Sequence, residues 1–188
     1  IEIQDYFKLK TTYEKNINHL SEGHSFYYSA IINNVFNKAE ESNEEITKLL
    51  TDYSTLLNDT MLNKIYRTKL LNHVNLYEYK EAAKASAYIQ ENYLLLNDSS
   101  EVEMLQNEIK IWEALKDVPK QQIIKTKDAT IPMVKDKFGL FNIDVTFGEV
   151  TKNLLFDTGA NFSVIVKSLA KELGFRIIKA DFYVTAAT

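Results

Sequence analysis

The chain has 188 residues, enough for one or two domains with a real core. Its apolar fraction of 45% and charged fraction of 26% are those of an ordinary globular protein, and no apolar run approaches the length of a bilayer span. A net charge of −4, with arginine only at Arg67 and Arg176, argues against a nucleic-acid partner, and the lack of cysteine removes disulfides, thiolate zinc sites and cysteine nucleophiles together.

The chain starts at Ile1 rather than Met, which reads as a processed or trimmed product. From residue 2 to about 116 the apolar residues recur at spacings of three and four, with Gly23 as the one glycine and no proline. Ile3, Phe7, Tyr13, Ile17 and Leu20 mark a first helix, which Gly23 ends. A second helix is expected from His24 to Lys38, a third from Asn43 to Leu57, a fourth from Met61 to Val74 and a fifth from Tyr79 to Leu95. Asn58-Asp59-Thr60 reads as a break and cap, and Ser100 followed by Glu103 as a capping box for a sixth helix through Leu115. Pro119 then ends the helical pattern.

The helices pair. "AIINNVFNKAEESNEEITKLL" and "KLLNHVNLYEYKEAAKASAYI" share one layout of helix end, short polar turn and second helix, offset by roughly 39 residues, as in helical-hairpin repeats. "NLYEYKEAAKASAYI" resembles a tetratricopeptide repeat in its turn, its aromatic Tyr79 and its small Ala82 and Ala83, which let helices approach closely. A plain helical bundle is the alternative. Either way this half offers an interaction surface and no chemistry.

After Pro119 the period changes. "QQIIKTK" and "TIPMVK" are short runs of β composition. "LFNIDVTF" alternates, with Phe141, Ile143, Val145 and Phe147 on one face and Asn142, Asp144 and Thr146 on the other. Gly148-Glu149 is a turn, and "VTKNLLF" returns as a second strand whose apolar end enters a core. "NFSVIV" reads as a further strand, "KSLAKELG" as a short helix closed by Gly174, and "FRIIKADFYVTAAT" as β-type again. The final "VTAAT" ends without a closing turn, as if more chain follows.

Asp157-Thr158-Gly159 sits directly behind that second strand. A carboxylate at a buried strand end has to be held by hydrogen bonds, or burial would neutralise it. A glycine two residues later can bring its N–H to the carboxylate without a Cβ in the way. If two such loops meet, their carboxylates cannot both ionise, so they share a proton: one acts as base on water and the other hydrogen-bonds the scissile carbonyl. Average usage produces an Asp-Thr-Gly-Ala tetrapeptide by chance in about one chain of this length in a few hundred. The flanking strand and helix sharpen that signal.

"LLFDTGANFSVIVKSLAKELGF" resembles the retropepsin-like aspartic proteases, and "GLFNIDVTFGEVTKNLLF" fits the strands before the catalytic loop in that family. The resemblance covers about residues 123–188. It implies that Asp157 is the catalytic acid/base, that Thr158 and Gly159 brace the loop, and that Ala160 and Asn161 border the substrate backbone. It also implies a homodimer, because this sequence holds no second Asp-Thr/Ser-Gly. Too few residues follow Asp157 for the flap hairpin, further strands and closing helix of that family, and "FYVTAAT" looks like a first flap strand cut short. As written, the chain is expected to be an inactive piece of a larger peptidase. Helical repeats followed by such a domain look like exported proteases of Bacteroidetes-type bacteria, which places the expected location in the periplasm or cell envelope.

Other readings are weaker. The actin and sugar-kinase phosphate loop fits "FDTGANFSVIV" locally, but that loop opens a domain and has Gly-rich partners downstream. The ribokinase-type motif lacks its final Gly-Asp. Ser168-Leu-Ala-Lys171 has the Ser-x-x-Lys spacing without its companion motifs, and reads as helix surface. His19, His24 and His73 have no metal-ligand spacing. Formal glycosylation sites stand at Asn58, Asn97 and Asn161. A binding module is the rival class of function, with helical repeats recruiting a partner and a degenerate protease fold that only dimerises. An intact Asp-Thr-Gly argues against decay.

The expected fold is α+β and multidomain: all-α helical-hairpin repeats over residues 1–118, then part of an all-β retropepsin-like domain over residues 119–188. The expected function is an aspartic endopeptidase acting on peptides or proteins, with no cofactor, no metal, no nucleic acid and no membrane span.

Overall fold

A computed structural model describes residues 5–159 and 163–183. Ile3 and "VTAAT" lie outside the described residues. Contacts divide the chain into two compact units, Ile1–Gln121 with Lys179–Thr188, and Gln122–Ile178. Among the described residues there are seven α-helices and one three-stranded antiparallel sheet, which makes the fold a helical domain followed by a small unit built on that sheet. Among the described residues no helix is long and apolar enough to cross a membrane.

In the first unit the helices are α1 (Tyr6–Asn16), α2 (Glu22–Val35), α3 (Ala39–Asp52), α4 (Asp59–Asn75), α5 (Tyr79–Tyr93) and α6 (Ser99–Leu115). Each expected helix forms, with ends shifted by a few residues because caps set them. Gly23 does not end a helix. It lies buried in the first turn of α2, where a Cβ would come within 2.9 Å of Leu56 Cδ1 and 3.0 Å of Tyr53 Cβ. The residue that starts α2 is Ser21, whose side chain accepts from the His24 N–H. The capping box of α6 also stands two residues earlier than its sequence reading. Asp98 Oδ1 accepts from the Glu101 N–H at 2.9 Å, and the Asp98 N–H donates to Glu101 Oε2 at 3.0 Å. Ser100 instead donates its hydroxyl to Asp98.

The repeat is physical. Asn37 and Tyr77 both adopt φ of 58°, and each follows a helix end closed by the same pattern. The Lys38 N–H bonds the Asn33 carbonyl, and the Glu78 N–H bonds the His73 carbonyl, both at 2.8 Å. Short 3-10 turns at Ser54–Leu56 and Leu94–Leu96 precede the caps Asn58 and Asp98, and α4 and α6 each have 17 residues. These features recur about 40 residues apart, within the span of helical-hairpin solenoids.

Two apolar clusters share α4. Ala30, Ile31, Ile46, Leu49, Leu57 and Ile65 form one. Leu70, Ala82, Ala83, Ala85, Ile89, Tyr93, Leu105, Ile111 and Trp112 form the other. Ala82, Ala83 and Ala85 of α5 are fully or almost fully buried, so their small volume sets how closely neighbouring helices lie. A polar network also crosses the first cluster. Buried Asn72 donates to Ser42 Oγ at 2.8 Å and to Asn43 Oδ1 at 2.9 Å and accepts from Asn34, while Ser42 donates to the Ala30 carbonyl at 2.7 Å.

In the second unit β1 (Val134–Lys135), β2 (Phe141–Phe147) and β3 (Val150–Leu155) lie in the order β1-β2-β3. Phe147 faces Val150 across Gly148-Glu149, and Gly148 at φ 61° supplies the backbone that a two-residue hairpin needs at its first turn position. The polar face is linked across the strands by Thr146 to Thr151 at 2.9 Å and Asn153 to Asp144 at 2.8 Å. A short helix α7 (Lys167–Glu172) ends at Gly174, φ 70°, with the Phe175 N–H on the Ala170 carbonyl. Residues 122–133, 163–166 and 175–183 form no strand, although their composition is of β type. β composition becomes a strand only where a partner edge is present, and among the described residues β1 and β3 find none beyond β2.

Candidate active site

Asp157 stands two residues beyond the end of β3. The Phe156 N–H still bonds the Phe141 carbonyl at 2.8 Å, so the hairpin ladder carries the chain to the residue before the aspartate. The chain then turns at Thr158-Gly159. The Gly159 N–H donates to Asp157 Oδ1 at 2.8 Å, and a Cβ on Gly159 would lie 3.3 Å from that oxygen. A side chain there would crowd the carboxylate that the backbone is holding, which is the physical reason for glycine at this position.

Beside the aspartate lies a cleft of about 560 Å³, lined by Met133, Gly139, Leu140, Phe141, Leu155, Phe156, Asp157 and Thr158. One carboxylate and one hydroxyl thus face an otherwise apolar wall, the usual composition of a small ligand or peptide site. Sequence reasoning missed the residue that shapes one side of this cleft. Asp136 Oδ1 accepts from the Phe138 N–H at 2.8 Å and the Leu140 N–H at 3.0 Å, while Gly139 takes φ 81°. The N–H of Leu140, ahead of that of Phe138, holds the Asp136 carboxyl below the usual carboxylate range. The signal was present in Asp136-Lys137-Phe138-Gly139, an aspartate opening a tight turn that closes on glycine.

Asp157 is exposed, where the sequence pattern put it buried at a strand end inside a core. The difference has a simple cause. No described residue of the 122–178 unit is buried, so among the described residues nothing encloses the loop. Thr158 and Gly159 are exposed beside it, and Ala160 and Asn161 lie outside the described residues. Ser168 and Lys171 sit on the exposed surface of α7. His24 bonds its own helix cap Ser21 through Nδ1 at 2.7 Å, and His73 bonds Glu78 at 2.9 Å. Among the described residues no group of three or more His, Cys, Asp or Glu is placed to hold a metal ion.

No curated protein and no solved structure matches the chain. Residues 143–188, from β2 through the Asp157 loop and α7 onward, match the family model described as aspartyl protease, which supports a protease-type function for the segment that carries Asp157.

Proposed function

We propose that this protein is an aspartic-type endopeptidase in which Asp157 works as half of a dyad completed by Asp157 of a second copy. The observation that carries this reading is the loop itself: an aspartate at the end of a hairpin strand, its Oδ1 held by the Gly159 N–H at 2.8 Å, beside an apolar cleft. The aspartyl protease match over residues 143–188 supports it. So does the exposure of the site, because a loop displayed on an uncovered sheet is free to meet its own copy.

In that pair the two carboxyls hold one proton between them, and their apparent pKa values belong to the pair. The ionised Asp157 takes a proton from a water molecule as the water oxygen bonds to the scissile carbonyl carbon. The protonated Asp157 of the other copy donates to the carbonyl oxygen. Collapse of the resulting diol breaks the C–N bond, and a proton passes from the dyad to the leaving amine. Gly159 and Thr158 brace the loop, Ala160 and Asn161 border the substrate backbone, and Leu140, Phe141 and Phe156 receive apolar side chains of a peptide. The helical unit serves as a tetratricopeptide-like interaction module.

Peptide-library cleavage by the protein at its native length, between about pH 4 and 7 and beside its Asp157→Asn variant, tests the reading. The expected result is a loss of about 10²–10⁴-fold in the variant. A variant that cleaves like the wild type contradicts it.

A further inference from the structure

The outer face of α6 grips a piece of extended chain. Asn107 Nδ2 donates to the Tyr183 carbonyl at 2.7 Å, and the Tyr183 N–H donates to Asn107 Oδ1 at 3.0 Å. One turn earlier on the same helix, Glu103 Oε1 accepts from the Tyr183 hydroxyl at 2.9 Å. A side-chain amide bonded to both the N–H and the C=O of one residue fits extended backbone, where those two groups point to the same side. The tyrosine ring then reaches the residue four positions back along the helix face.

The repeat shows what normally occupies this place. About 40 residues earlier, at the equivalent positions of α4, Asn63 and Arg67 reach Asn97 Oδ1 at 3.2 and 2.7 Å. Asn97 lies in the turn that leads into α6. On α4, then, this pair of positions holds the entry to the next repeat. On α6 the same pair holds Tyr183. Residues 179–183 group with the helices rather than with the sheet.

We propose that Glu103 and Asn107 form a docking site for an extended, tyrosine-bearing strand, occupied by residues 181–183 of this same chain, and that docking keeps the peptidase in a resting state. The second half of this proposal rests on the peptidase reading above. Tyr183 belongs to the segment that matches the aspartyl protease model, and residues 175–183 have the composition of a strand without being one. While Asn107 holds both backbone groups of Tyr183, a neighbouring strand cannot pair with that edge of the residue. Docking on α6 and pairing in a sheet along that edge are therefore alternatives. All three hydrogen bonds are exposed, so the clamp opens at a small fraction of the cost of global unfolding.

Two readouts on the full protein test this. Hydrogen exchange is followed at the Tyr183 amide and along α6, in the wild type, Asn107→Ala and Tyr183→Phe. Peptide cleavage is followed in the same proteins and in the Asn107→Ala/Asp157→Asn double variant. The expected outcome is that Asn107→Ala speeds exchange at Tyr183 by about tenfold, with α6 unchanged, and Tyr183→Phe by less. Cleavage by Asn107→Ala should exceed the wild type several-fold and vanish in the double variant. Unchanged exchange at Tyr183 overturns the docking site. Faster exchange with cleavage equal to or below the wild type overturns the resting state. Cleavage that survives in the double variant overturns the role of Asp157 and leaves the docking site to stand on the exchange result.

Discussion

Ile46, Leu49, Ile65, Ile89 and Leu105 of the helical unit are fully buried, whereas in the 122–178 unit Ile124, Phe138 and Val164 are each more than 70% exposed. Both regions are rich in apolar residues, so composition does not explain the contrast. Each helix packs on the next one along the chain, so burial is local and the stack supplies its own partners. A hairpin with one short extra strand and one short helix has a sheet face wider than anything it can lay across it. The lesson concerns the site. The helical unit buries its own apolar residues, while among the described residues nothing in the 122–178 unit covers the loop bearing Asp157.

Truncation in the two regions should expose this contrast most strongly. Leu105→Ala, in the fully buried centre of its cluster, should cost about 3 kcal/mol in chemical denaturation. Val145→Ala, on the half-buried face of β2, should cost well under half as much, about 1 kcal/mol. Equal losses would mean that the sheet has a core of its own.

Next in size is Asn72→Ala. It removes the hub between α2, α3 and α4 and leaves buried Ser42 and half-buried Asn43 and Asn34 without that partner, at a cost of about 2 kcal/mol. If urea unfolding shows no loss, the network only fills space. Asn58→Ala should cost about 1 kcal/mol, because the Asn58 side chain accepts from the Met61 N–H at the start of α4.

The smallest effect is on pH dependence. Burial pushes the carboxyls of Glu45 and Glu108 up from the ordinary value of 4.5. Their folded values lie above their unfolded ones, so the unfolded chain loses its protons first, and stability falls as pH rises above 4.5. The Glu101 N–H, ahead of the Ser100 hydroxyl, holds Asp98 below its ordinary 3.8, and that contribution is lost as pH falls through this range. Thermal melts of the helical unit within the whole protein should therefore peak in mild acid. Glu45→Gln with Glu108→Gln should flatten the decline toward neutral pH. A decline of unchanged slope would remove these two groups as its cause.

Much of this was legible in the sequence, for reasons that differ by region. Helices α2 to α6 follow from three-four periodicity and from caps at Asn58 and Pro119, because their partners are sequence neighbours. The β2–β3 hairpin follows from strict alternation around Gly148-Glu149. The role of Gly23 was hidden, since close approach to Tyr53 and Leu56 is a tertiary fact that reads in sequence as a helix breaker. The capping box stands two residues before its expected place because Ser100 and Asp98 are both good caps, and only geometry chooses between them. Of the strands expected over residues 161–166 and 175–188, the described parts, 163–166 and 175–183, form none for lack of a partner edge, which no local pattern can reveal. At the site, the Gly159 contact was derivable from the need to hold a carboxylate. The exposure of Asp157 was not, because it depends on what the rest of the unit can cover.

The most direct test of the central claim, that two copies of Asp157 make one catalytic site, is a mixing experiment. Wild-type protein at fixed concentration is equilibrated with increasing Asp157→Asn protein, and peptide cleavage is measured after subunit exchange. A shared site predicts that activity falls as the variant is added, since mixed pairs carry only one carboxylate. Activity that stays proportional to the wild-type protein alone, whatever the amount of variant, would contradict the account.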